Sequence, residues 1–101
     1  MSHEHRTEVV GEDVHLTLVE LCHAIRVPED QLRGWVLEGV LEPIGNAPHE
    51  WRFTGTALRR ARLAVTLTRE LEVNAPGVAL ALDLLDEIDA LRASLRRAAR
   101  A

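Results

Sequence analysis

The chain has no lysine and no tyrosine, and only one cysteine, one phenylalanine and two tryptophans among its 101 residues. A single thiol, Cys22, excludes an internal disulfide, and with no recognisable secretory signal the expected location is a reducing cytoplasm. No apolar run approaches the ~20 residues that span a bilayer, so no membrane segment is expected. Aromatics are 3% of the chain while apolar residues are 47%. The core must therefore come from Leu, Val, Ile and Ala, which suits helices. There is no glycine-rich phosphate loop and no Cys-x-x-Cys pair. The only serines, Ser2 and Ser94, lie in an N-terminal arm and a terminal helix, where neither has the base and oxyanion donors a nucleophile needs. His15, His23 and His49 are scattered, and Cys22 and His23, adjacent on a helix, point apart. These absences argue against an enzyme and leave no cofactor or metal to be expected. Positive charge is also short: the formal net charge is −4 and the pI about 5.7, which disfavours nucleic acid as a default partner. All 12 basic residues are Arg, a bias we read as a GC-rich genome rather than as function.

What is present is helical. Residues 1–14 are polar, carry a net −3 and have no helical period, so they read as an arm or a lone strand through Val9 and Val10. His3 and His5 within it read as solvated rather than metal-binding. Thr17-Leu18-Val19-Glu20 is a capping box that opens a first helix, with Leu18, Leu21, Cys22 and Ile25 on one face and Cys22 a small core residue. Pro28 opens a second helix, Glu29 and Asp30 complement its N-terminal dipole, Leu32, Trp35 and Val36 form its buried face, and Gly39 ends it. Val40 through Pro43 reads as a short strand, Ile44 through Glu50 as a turn, and Trp51-Arg52-Phe53 as the return strand of a small wing that packs Phe53 into the core. Thr54 caps a third helix over about 55–72, apolar at Leu58, Ala61, Leu63, Val65, Leu67 and Leu71, and basic at Arg59, Arg60, Arg62 and Arg69.

Asn74-Ala75-Pro76-Gly77 breaks the chain, and a last helix runs from about Pro76 to Ala99. Its Ala81, Leu84, Ile88, Leu91, Leu95 and Ala98 are spaced 3, 4, 3, 4, 3, the seam of a coiled coil, and predict a homodimer. Leu80, Leu82 and Leu85 widen the stripe at its start, which is expected to pack on the body of the domain. Acids cluster early on this helix and arginines (Arg92, Arg96, Arg97 and Arg100) late, a pattern that suits the helix dipole and also antiparallel pairing.

The fold these elements predict is all-α with a small β-wing: an arm (1–14), a winged helix-turn-helix domain (15–74) and a C-terminal coiled-coil helix for dimerisation (75–101). Within it, residues 27–42 set Glu29, Asp30, Glu38 and Glu42 against Arg33 alone, a local charge of −3 on the helix that would face DNA. Such a surface repels phosphate and attracts a basic protein, so weak or no nucleic-acid binding is expected.

Residues 17–53 resemble the MerR-like helix-turn-helix family, through the Leu-Val-Glu-Leu first helix, Val27-Pro28-Glu29-Asp30-Gln31-Leu32-Arg33-Gly34-Trp35 and the wing. MerR-type regulators usually carry a run such as Arg-Tyr-Tyr in the second helix with a basic residue upstream. Here the run is Arg33-Gly34-Trp35 and the upstream residue is Asp30. Residues 16–92 resemble a narrower group, the CbpM family of chaperone modulators. The marks are Glu20-Leu21-Cys22, Glu38-Gly39-Val40-Leu41-Glu42-Pro43, Trp51-Arg52-Phe53, Arg60-Ala61-Arg62-Leu63, Pro76 through Leu82, and Leu84-Leu85-Asp86-Glu87-Ile88. The resemblance implies binding to the J-domain of a CbpA-type, DnaJ-like co-chaperone and inhibition of its stimulation of Hsp70. The acids expected to supply contacts to a basic J-domain helix are Glu29, Asp30, Glu38, Glu42, Asp83, Asp86, Glu87 and Asp89. Two other readings stay open. One is a MerR-like transcription regulator placing Arg33, Arg52 and the third-helix arginines on phosphates. The other is a dimerisation module with no partner of its own.

Overall fold

Thr17 begins the first helix in the computed structural model, which describes residues 14–100. The expectations for the arm, including His3, His5, Val9 and Val10, lie outside the described residues. Helix α1 spans Leu18–Ile25. Its capping box is reciprocal: the Glu20 amide donates to Thr17 Oγ1 at 3.1 Å, and the Thr17 amide donates to Glu20 Oε1 at 2.8 Å. Leu18, Leu21, Cys22 and Ile25 all face the core, as their spacing predicts. The helix stops at Arg26, which takes a left-handed conformation (φ 59°). Arg69 donates to the Arg26 carbonyl at 2.7 Å and so satisfies a group the helix end leaves open.

Helix α2 spans Glu29–Leu37, with Pro28 at the N-cap rather than inside the first turn. Leu32 and Trp35 are buried. At the C-terminus the Val40 amide reaches back to the Trp35 carbonyl (2.8 Å) and the Gly39 amide to Val36 (3.1 Å). This is a Schellman closure, and Gly39, at φ 82°, takes the left-handed position it requires.

The wing is smaller than the sequence predicts. Val40 and Leu41 are buried but pair with no strand. One bridge joins Ile44 to Arg52, with both amides bonded at 2.9 Å, and Phe53 pairs instead with Leu16, ahead of α1, at 2.8 Å in both directions. No continuous strand forms among the described residues. Pro43, beside Ile44, has no amide to extend the ladder, and the chain turns at once through Gly45 (φ 116°) into a 3₁₀ turn at Pro48–Glu50. Phe53 is fully buried, and Trp51 meets it edge-on with ring centroids 6.2 Å apart.

Helix α3 spans Gly55–Glu70, two residues shorter than expected, and Thr54 caps it by accepting from the Ala57 amide. Leu58, Ala61 and Ala64 are buried, whereas Leu63 and Leu71 are exposed. Leu63 falls ~200° round the helix from Ala61 and so cannot share its face. Glu72, at φ 55°, makes the turn. Helix α4 spans Ala75–Arg100. Its first two turns complete the core: Val78 and Leu82 are buried with Leu21, Leu32, Val40, Leu41 and Phe53. Of the three leucines expected to pack on the body, Leu82 does; Leu80 is exposed because it lies ~200° round the helix from the buried Val78, and Leu85, on the same face as Val78, is exposed because it falls past the turns that the body covers.

Candidate functional site

Charge on this molecule is organised by one arginine. Arg60 of α3 is 15% exposed and its guanidinium serves three acceptors. Nε donates to the Val40 carbonyl at 2.6 Å, Nη2 to Asp83 at 2.8 Å and Nη1 to Asp86 at 2.5 Å. Asp83 and Asp86 are one turn apart on α4, so both carboxylates reach the same fork, which is a geometry that guanidinium fits and ammonium does not. The sequence holds a hint of this, the Asp-x-x-Asp spacing, but not its partner 23 residues away in α3.

The eight acids predicted to contact a partner thus separate by local geometry. Asp83 and Asp86 are tied to Arg60, though their side chains remain 70% exposed. Glu29 sits 3.4 Å from Arg33, one turn on along α2. Asp30 accepts from the Gln31 amide at 2.9 Å. Glu38 and Glu42 flank the Gly39 turn, and Glu87 and Asp89 lie beyond Asp86 on the exposed length of α4. Glu42 and the Arg60 cluster line one shallow polar groove together with Gly39, Thr54 and Thr56.

The arginines of α3 are largely engaged within the chain. Arg59 donates to Thr56 at 3.1 Å, Arg60 holds the α4 acids, and Arg69 caps α1. Arg33 pairs with Glu29, and Arg52 donates to the Trp51 carbonyl at 2.8 Å. Arg33, Arg52 and His49 line a groove of about 500 Å³ whose apolar wall is Leu18, Val19 and Trp51.

The predicted seam lies on the side of α4 that faces away from the body. At ~100° per residue, Leu84 and Leu91 sit ~200° and ~180° round from the buried Leu82. Leu84, Ile88, Leu91 and Leu95 are all exposed, Leu91 at 57% and Leu95 at 69%. Ala81, at the edge of the body, is half-buried and Ala98 is exposed. The face that continues from Leu82 turns charged (Asp89, Arg96, Arg100), so the apolar stripe that outlasts the body is one that nothing among the described residues covers.

Cys22 is buried on the inner face of α1, and burial pushes its thiol up from the ordinary value, with the Glu29 carboxylate adding to the shift and Arg33 opposing it. It is a protonated core residue. Among the described residues no cluster of three His, Cys, Asp or Glu side chains is placed to hold a metal, and no helix is long and apolar enough to cross a membrane.

The MerR HTH family regulatory protein family matches residues 16–100. The chaperone modulatory protein CbpM of Coxiella burnetii is 39% identical over 88 residues, covering 87% of this chain and 83% of the relative. Those of Pseudomonas putida (strain W619) and Pseudomonas entomophila are each 42% identical, over 79 and 83 residues, and cover 78% of both chains. These relatives are modulatory or regulatory proteins by name.

Proposed function

Since this chain belongs to the CbpM chaperone modulatory proteins, within the MerR helix-turn-helix family, we propose that it is a cytoplasmic, non-enzymatic adaptor that binds the J-domain of a DnaJ-like co-chaperone and blocks its stimulation of Hsp70. The observation that carries this reading is the acidic second helix. α2 and the turn after it present Glu29, Asp30, Glu38 and Glu42 where a DNA reader presents arginine and lysine. A J-domain carries a basic helix that docks on acidic Hsp70 surface, so an acidic protein that covers the helix inhibits by occupancy. Charge then raises the association rate and selects the partner, while buried Leu and Val contacts supply most of the affinity.

α4 serves dimerisation through Ala81, Leu84, Ile88, Leu91, Leu95 and Ala98. Fully covering an exposed leucine or isoleucine is worth ~1.5–3 kcal/mol, and four of these six positions carry such a residue. A second copy supplies the cover, with the acidic early half of one helix beside the basic late half of the other.

The test is titration of an isolated J-domain into the full chain by calorimetry, followed by Hsp70 ATPase measurements with increasing chain. Saturable binding with loss of J-stimulated ATPase is expected. Heat-silent mixing together with full stimulation at saturating chain would remove the reading.

A further inference from the structure

Gly34 stands in the middle of α2, where glycine destabilises a helix by roughly 1 kcal/mol relative to alanine. Nothing among the described residues calls for it. A Cβ added there meets no atom within 4 Å, so no neighbouring backbone or side chain needs the space, and Gly34 is not among the positions of positive φ. The glycine instead leaves bare helix backbone at the floor of an open groove of about 350 Å³ between α2 and the α3–α4 turn. Trp35, Val73 and Ala75 form the apolar part of its lining, and Leu37 stands at its edge, 85% exposed, the highest value among the large exposed hydrophobics of the described residues. A leucine that exposed beside an apolar groove is a contact waiting for a partner surface.

The groove also has a charge. Glu38 is the one charged residue in its lining; of the residues next to that lining in sequence, Asp30 and Glu72 are balanced by Arg33 and Arg69, so Glu38 sets the sign. The larger groove on the other side of α2 sets Arg33 and Arg52 against Glu29 and so offers a cationic segment no net attraction. The charge that lines the Gly34 groove is acidic, and it stands beside apolar wall.

We propose that the groove over Gly34 is the docking site for a basic amphipathic helix of the partner, whose apolar stripe lies against Leu37, Val73 and Ala75 and whose basic flank faces Glu38. This rests on the reading that the partner is a J-domain and deepens it: recognition is centred on the outer face of α2 and the α3–α4 turn, not on the Arg60 cluster. The absence of a Cβ at residue 34 lets the partner's backbone approach α2 closely, as small residues do wherever two helices meet at short distance.

Glycine makes the proposal testable without unfolding the chain. Gly34→Gln puts a good helix former at an unobstructed position, so the melting temperature should rise or stay level, while its side chain fills the groove. Affinity for the isolated J-domain, measured by calorimetry on the full chain, should fall about tenfold or more. Leu37→Ser, at an exposed position, should lower affinity by a similar factor with the melting temperature unchanged. If the wild-type chain binds the J-domain and both variants bind equally well, the groove is not the docking site although the partner is right. If the wild-type chain itself fails to bind, the partner assignment falls and takes this proposal with it.

Discussion

Arg60 binds Asp83 across 2.8 Å while its Nε holds the Val40 carbonyl. One side chain thereby joins the turn after α2, the middle of α3 and the point where α4 leaves the core. The direction in which α4 projects, and with it the orientation of the seam, depends on this junction.

Arg60→Ala should destabilise the chain by about 2 kcal/mol, chiefly because the Val40 carbonyl loses its donor and the arginine stem loses its packing. The carboxylates are mostly exposed, so Asp83→Ala alone should cost under about 1 kcal/mol. Thermal unfolding of both variants separates the two contributions, and equal losses would mean that the ion pairs carry the junction.

Leu91→Asp should convert the proposed dimer to a folded monomer. Leu91 is exposed in the single chain, so the substitution leaves the core untouched and adds a charge only where a second seam would cover it. Sedimentation at micromolar concentration reads the change, with circular dichroism to verify the fold. A monomeric wild-type chain would remove the coiled coil.

Charge reversal should sort the predicted contact acids. Asp86→Arg sets two cations together at Arg60 and should lower the melting temperature by several degrees. Glu38→Arg breaks no hydrogen bond or ion pair found among the described residues and should instead slow J-domain association, the more so at low salt. Stopped-flow rates at two salt concentrations distinguish these outcomes. A Glu38→Arg chain that associates at the wild-type rate would place the electrostatic contact elsewhere.

Sequence-specific DNA binding should be weak, with no nanomolar mobility shift at physiological salt. Arg59, Arg60 and Arg69 already have partners inside the chain, and the remaining candidates Arg33, Arg52 and Arg62 release few counterions. A tight shift lost in Arg52→Ala would restore the regulator reading.

Glu72→Gly should raise stability by a few tenths to about 1 kcal/mol. Residue 72 has φ 55°, a conformation that costs an L-residue roughly 1–2 kcal/mol and glycine little, offset in part by glycine's greater freedom when unfolded. Calorimetric melting checks the sign, and Glu72→Val should move it the other way.

The sequence by itself determined the helices and most of their caps and core. The Thr17–Glu20 capping box, the Gly39 stop, the Thr54 cap and the burial of Phe53 are local or periodic signals, set by backbone hydrogen-bond needs within a few residues. The exposed apolar stripe through Leu84, Ile88, Leu91 and Leu95 was legible for the same reason, since a 3–4 spacing defines a face wherever the helix sits. Tertiary structure decided what depends on residues far apart in the chain. Phe53 pairs with Leu16 because the fold brings the segment before α1 alongside, and that contact, with Pro43 unable to donate, limits the wing to single bridges. Leu82 rather than Leu80 meets the core because the body contacts one edge of α4. Asp83 and Asp86, alike in sequence to Glu87 and Asp89, differ from them only because Arg60, on another helix, lies within hydrogen-bond reach. Spacing along a chain fixes which side chains share a face; only packing fixes what that face meets.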